Sequence, residues 1–69
     1  MPRSLSVLLE GGPDGMPRIL NVLVDRFEDH IKVAYRNGYE HFEFANEFAA
    51  ISDERLPVYR WVYRTAIAE

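Results

Sequence analysis

Residues 30–44 read HIKVAYRNGYEHFEF, and the pair Asn37-Gly38 near their centre decides how the chain folds. Asn-Gly between two alternating runs is the strongest short-range hairpin signal, because a type I′ turn needs positive φ at both central residues. With Asn37 and Gly38 in those places, Arg36 faces Tyr39, Tyr35 faces Glu40, Ala34 faces His41, Val33 faces Phe42, Lys32 faces Glu43 and Ile31 faces Phe44. One face of the predicted hairpin, residues 30–45, then carries Ile31, Val33, Tyr35, Phe42 and Phe44. The other carries a Lys32-Glu43 charge pair, Ala34 beside His41, and Arg36 against Tyr39 in cation-π geometry.

Beyond the hairpin, Tyr59, Trp61, Tyr63, Thr65 and Ile67 alternate with Val58, Arg60, Val62, Arg64 and Ala66, which predicts a long C-terminal strand over residues 56–68. Pro57 suits its first residues or an edge position, since proline donates nothing to a central ladder. Toward the N-terminus, Leu5, Val7 and Leu9 share one side of a first strand. Glu10-Gly11-Gly12-Pro13-Asp14-Gly15 ends that strand in a glycine-dependent loop. Arg18 to Phe27 supports two readings. Ile19, Leu20, Leu23, Val24 and Phe27 form a helical stripe after Pro17, whereas Leu20, Val22 and Val24 alternate as in a strand. Asn46 to Ile51 extends the sheet or forms a single turn, and Ser52-Asp53-Glu54-Arg55 reads as a polar connection. The expected fold is a single small domain over residues 1–69, mainly β. It is an antiparallel sheet built on the hairpin and the last strand, with an α+β alternative in which residues 17–28 form one helix.

A chain of 69 residues buries only about 60% of its unfolded surface, so its core needs a supplement. Without cysteine there is no disulfide and no thiolate to hold a structural metal. Association into a homodimer is the expected supplement, and 48% hydrophobic residues make the chain a folded protein with apolar surface for a second copy. The net charge of -3 argues against a nucleic-acid partner. The segment MPRSLSVLLE is too short and too acidic at its end for a secretory leader, and no run approaches the roughly 20 apolar residues of a membrane span. A cysteine-free composition fits a cytoplasmic location.

Three blocks, Glu10-Gly11-Gly12-Pro13, Asn37 to Glu43, and Tyr59-Arg60-Trp61 followed by Tyr63 to Glu69, resemble in their order a family of small uncharacterised actinobacterial proteins. The resemblance implies one domain and no established activity, so no catalytic residues are carried over. It also implies an extended Arg18–Asp25 segment, and a gene neighbourhood of secondary metabolism or development that suggests an accessory or regulatory role.

The chemistry-bearing residues support no catalytic constellation. An imidazole beside a carboxylate exchanges protons near neutral pH, but the register turns Glu40 away from His41 and sets Glu43 opposite Lys32. His30, opposite Ala45, lies roughly 13 Å from His41 at about 3.3 Å per residue. The two cannot share an ion within one protomer, which leaves only a metal shared across a dimer. The 10–15 loop lacks the phosphate-binding glycine spacings and carries two acids. Arg60, Trp61, Tyr63 and Arg64 interleave bases and rings as single-strand nucleic-acid readers do. On a regular strand, however, the arginines and the rings point to opposite faces. The expectation is therefore a non-enzymatic accessory or regulatory protein that binds another protein, with no metal and no cofactor. Its interaction residues are expected to be Arg60, Arg64, Arg36, Tyr39 and His41. The alternative is a small-molecule binder or minor biosynthetic enzyme, with a pocket at a dimer interface lined by Tyr39, His41, Trp61 and Tyr63.

Overall fold

Alternation of Leu5, Val7 and Leu9 with Ser4, Ser6 and Leu8 makes β1 (Arg3–Glu10), and that of Leu20, Val22 and Val24 with Ile19, Asn21 and Leu23 makes β2 (Ile19–Val24). The computed structural model describes residues 3–26 and 30–66, and adds β3 (Ile31–Ala34), β4 (Gly38–Ile51) and β5 (Glu54–Ala66). There is no helix among the described residues, so the mainly β expectation holds and the α+β alternative is corrected: residues 19–24 are strand. Phe27, from the helical stripe, and Ile67 and Ala68, at the end of the predicted last strand, lie outside the described residues.

The strands form one sheet in the order β2-β1-β5-β4-β3. Each strand reverses the direction of the one before it, so the fifth runs with the first and pairs with it in parallel, Leu8 beside Val58 and Leu9 beside Tyr59. The sheet is therefore mixed, where an antiparallel one was expected. Its core face carries Val7, Leu9, Val24, Ile31, Phe42 and Tyr59, packed by Leu5, Leu20, Val22, Val33 and Phe44. No helix among the described residues covers this face. The loop after β1 lies against it instead, with Met16 packed on the core and the Tyr35 hydroxyl donating to the Asp14 carbonyl at 3.0 Å. The opposite face holds a smaller cluster of Leu8, Leu56 and Val58 with Ala45, Ala49 and Ile51.

The hairpin forms, but its turn sits one residue earlier than the Asn-Gly signal places it. Arg36 (φ 50°) and Asn37 (φ 62°) occupy the two central positions, and Tyr35 N–H donates to Gly38 C=O at 2.9 Å. Ile31 consequently faces Phe42, Lys32 faces His41, Val33 faces Glu40 and Ala34 faces Tyr39. The slide amounts to two positions along β4, so every side chain keeps its predicted face while every partner changes. Val33 does not meet Phe42, Lys32 does not oppose Glu43, and the cation-π contacts become Lys32 over Tyr39 at 4.6 Å and Arg36 over Tyr35 at 5.3 Å.

Two irregularities shape β4 and β5. Residues 45–47 of β4 are looped out between the Phe44-Tyr59 and Phe48-Pro57 pairs, with Asn46 at φ 59°. This break in the ladder lets the fully buried Pro57 sit in a central strand. The second bulge leaves Val62 without a partner between the His41-Tyr63 and Phe42-Trp61 pairs. Beyond it the alternation of β5 inverts: Tyr59 and Trp61 share the core face, whereas Tyr63 and Thr65 turn to the side of His41. Asn46 to Ile51 extends the sheet, and Ser52 and Asp53 alone form the second turn, at φ 48° and 67°.

Gly38 is required here for space, since the positive φ falls on Arg36 and Asn37. A Cβ at Gly38 would lie 2.6 Å from Arg64 Cζ and 2.8 Å from the Thr65 carbonyl oxygen. Gly38→Ala is accordingly expected to destabilise by about 1–3 kcal/mol through overpacking. Asn37→Gly, at a left-handed position, should leave the urea midpoint at or above that of the wild type. Arg36→Gly, likewise at a left-handed position, should not lower the midpoint; a clear loss in urea denaturation would return the turn to Asn37-Gly38, which puts Arg36 on the strand.

Candidate functional site

Alternation along β4 places Glu40 on the core face with Phe42 and Phe44, and the carboxylate is 3% exposed. Two groups compensate it. Trp61 Nε1 donates to Oε1 at 2.7 Å, and Arg64 Nη1 donates to Oε2 in an ion pair. The same guanidinium reaches the hairpin turn, giving Nη1 to the Tyr35 carbonyl at 3.1 Å and Nη2 to the Arg36 carbonyl at 2.6 Å. The Trp61 hydrogen bond first, and then Arg64, hold the Glu40 carboxyl below its ordinary pKa, against the desolvation that would raise it. This network was legible in part, because parity along the hairpin already set a lone acid beside Val33 and Phe42. What the sequence did not show was the bulge that turns Arg64 toward it.

On the opposite face His41 is 7% exposed and engaged at both ring nitrogens. Nδ1 lies 2.6 Å from His30 Nε2, Nε2 lies 2.8 Å from Thr65 Oγ1, and the ring stacks on Tyr63 at 4.2 Å and 11°. The expected separation of the two histidines, roughly 13 Å, is thus corrected: the slide of the hairpin makes them neighbours. A single hydrogen between two ring nitrogens requires one ring to offer its lone pair and the other its N–H. Burial first, then His30 and Lys32, hold the His41 pKa below its ordinary value, with Glu40 opposing. No group of three or more metal-ligating side chains occurs among the described residues.

Of the five residues expected to mark an interaction face, Tyr39, His41 and Arg60 lie on this side of the sheet and Arg36 sits in the turn. Arg60 forms exposed ion pairs with Glu10 at 3.4 Å and Glu47 at 3.8 Å. Arg64 does not share its face. The Val62 bulge sends Arg64 to the side of Trp61, which corrects the regular alternation expected for this strand. The same bulge separates Trp61 from Tyr39, His41 and Tyr63, so those four residues do not line one pocket within the protomer. A cavity of about 480 Å³ lies elsewhere, between the 11–18 loop, Leu9 and Phe42. No helix among the described residues is long and apolar enough to cross a membrane.

Fold and site together define a small single-sheet β protein with a buried carboxylate paired to an exposed arginine on one face and a histidine–aromatic cluster on the other. Over residues 1–69 the chain matches a family of unknown function, DUF5988, and it belongs to that family. No curated protein and no solved structure matches it.

Both titrating groups lose native stability on acidification, in separate windows. His41 is held below its ordinary value of 6.5, so the unfolded chain takes up the proton first and stability falls as pH drops below 6.5. Glu40 is held below 4.5, so its contribution is present above 4.5 and is lost as pH falls through its folded-state value. In melting curves against pH, His41→Gln should remove the upper step and Glu40→Gln the lower one. A wild-type Tm that does not change between pH 7 and pH 5 would refute a neutral buried imidazole.

The two arginines should also separate by mutation. Arg64→Glu sets a second carboxylate against Glu40 and frees the turn carbonyls, so it is expected to lower the Tm far more than Arg60→Glu. The latter alters exposed pairs of the kind worth about 0–1 kcal/mol. Equal losses in thermal denaturation would contradict the assigned geometry.

Proposed function

We propose that this protein is a non-enzymatic accessory or regulatory protein that acts by binding another protein, and that it self-associates as a homodimer. One observation carries the reading: β5 runs past the end of β1, whose last pairing is Glu10 with Arg60, and leaves Trp61, Val62 and Tyr63 exposed on a single-layer sheet. Aromatic side chains beside arginine are the usual anchors of protein interfaces. Tyr63 with Tyr39 and Arg60 on one face, seated over the buried His41, and Arg36 at the rim form the binding surface of this reading. Arg64 supports that surface from behind by fixing the turn. The cysteine-free composition agrees with a cytoplasmic setting. The sequence blocks that resemble actinobacterial proteins suggest work beside secondary metabolism or development.

A second reading follows from the cavity of about 480 Å³ under the 11–18 loop, which is large enough for a small molecule. A ligand there at 100 times its Kd should add about 2.7 kcal/mol of stability. A thermal-shift screen detects this directly.

For the leading reading, the wild-type protein should capture a partner from its native cell extract. Tyr63→Glu, at a side chain 46% exposed, should lose that partner while melting cooperatively. Capture unchanged by Tyr63→Glu would remove the face from the proposal.

A further inference from the structure

The sheet leaves several lengths of strand unpaired on one side, and they differ in what they offer another chain. β3 is a four-residue edge that carries the exposed Lys32, and β4 beyond it is bulged at residues 45–47 with Glu43 and Glu47 exposed. The end of β5 beyond β1 is bulged at Val62 and carries Arg64. Short, charged and bulged edges resist pairing with another chain. β2 has none of these protections. Its six residues, Ile19 to Val24, contain no charge, no proline and no bulge, and no strand pairs with its outer side among the described residues.

One bond fixes where its backbone groups point. Leu9 N–H donates to the Arg18 carbonyl at 2.6 Å, and these two residues continue the register of Leu8 with Ile19. Bonded and non-bonded pairs alternate along an antiparallel ladder. Leu20, Val22 and Val24 therefore turn their N–H and C=O groups toward β1, while Ile19, Asn21 and Leu23 turn theirs outward. The side chains of these same outward residues share the face opposite the core, where Leu23 is 73% and Ile19 47% exposed.

We propose that β2 is the homodimer interface, pairing antiparallel with β2 of a second copy about a twofold axis through Asn21. The proposal rests on the self-association reading and names its surface. In this register Ile19 faces Leu23 of the second copy, Asn21 faces its counterpart, and Leu20 faces Val22 on the core side. The exposed aliphatic side chains of the strand become cross-strand neighbours, and the outward backbone groups satisfy one another. Centring the axis on Val22 instead would set Arg18 opposite Arg26 of the second copy, a like-charge pair that opposes association. A slip by one residue sets outward groups against inward ones. Pairing about Asn21 joins the two five-stranded sheets into one.

Because the chain has no cysteine, single-cysteine variants report the register. In Asn21→Cys the two Cα atoms lie about 5.5 Å apart across the axis. In Leu23→Cys the copies are offset by four residues, roughly 13 Å. A short bifunctional thiol reagent should link Asn21→Cys into a covalent dimer and leave Leu23→Cys unlinked. Asn21→Pro removes an N–H that points away from β1, so it should give a folded chain of monomeric mass by light scattering, against a dimeric wild type. A wild type that is monomeric across the concentration range overturns both this interface and the self-association reading. A dimer in which Asn21→Cys fails to link, in which Leu23→Cys links instead, or which survives Asn21→Pro overturns β2 alone. If Asn21→Pro fails to fold, the cysteine pair still decides.

Discussion

The carboxylate of Glu40 is enclosed by the core face, and much of the molecule is arranged around its compensation. Its partners come from β5 as Trp61 and Arg64, and through Arg64 it is tied to the carbonyls of the hairpin turn. A charge removed from water is tolerated only when its lone pairs are satisfied. Among the described residues no buried side-chain polar atom is without a partner. Arg64 reaches Glu40 because Val62 bulges out of the ladder, and that same bulge turns Tyr63 and Thr65 toward His41. The ion pair on one face and the histidine cluster on the other are therefore two consequences of one extra residue in β5.

Covering the core is the second constraint, because the described residues contain no helix to lay on the sheet. The 11–18 loop does this work. Gly12 has no side chain and passes close over Phe42, where a Cβ would come within 3.2 Å of the ring, while Met16 fills space beside it. Gly11 and Gly15 take left-handed conformations, φ 80° and 88°, that let the chain fold back under Trp61 and Tyr35. The cover is partial, and a cavity persists beneath it. A sheet of this kind has little stability in reserve, and its exposed apolar strand positions gain by meeting another chain.

Polar chemistry is divided between the two faces of the sheet. Glu40 and Arg64 neutralise each other, and His41 has both ring nitrogens occupied. Around them lie the exposed Tyr63 and the half-buried Tyr39, with Lys32 over the Tyr39 ring and Arg60 between Glu10 and Glu47. Under the proposed binding role, the polar network behind these aromatic side chains gives the surface a defined shape.

Local chemistry determined a large part of this structure. Period-two alternation gave the strands their faces up to the bulge at Val62, and Gly, Asn, Ser and Asp marked the places where the chain turns. The hairpin was legible because residues 36–38 combine a left-handed asparagine with a glycine, and a slide of two positions preserves the faces that alternation predicts. Partners and register were another matter. Asn37-Gly38 favours its own turn, but the turn formed is Arg36-Asn37, because Arg64 lies against the bare Cα of Gly38 and bonds the carbonyls of Tyr35 and Arg36. The meeting of His30 with His41, the face on which Arg64 lies and the parallel pairing of β1 with β5 likewise rest on contacts between residues far apart in the chain. The sequence by itself settled the first strand, the hairpin and the last strand, and the side their residues face as far as Trp61, since both depend on nearest neighbours along the backbone. Tertiary structure alone decided which residues meet, because a bulge at Val62 reverses every orientation beyond it and is favoured by a carboxylate more than twenty residues away.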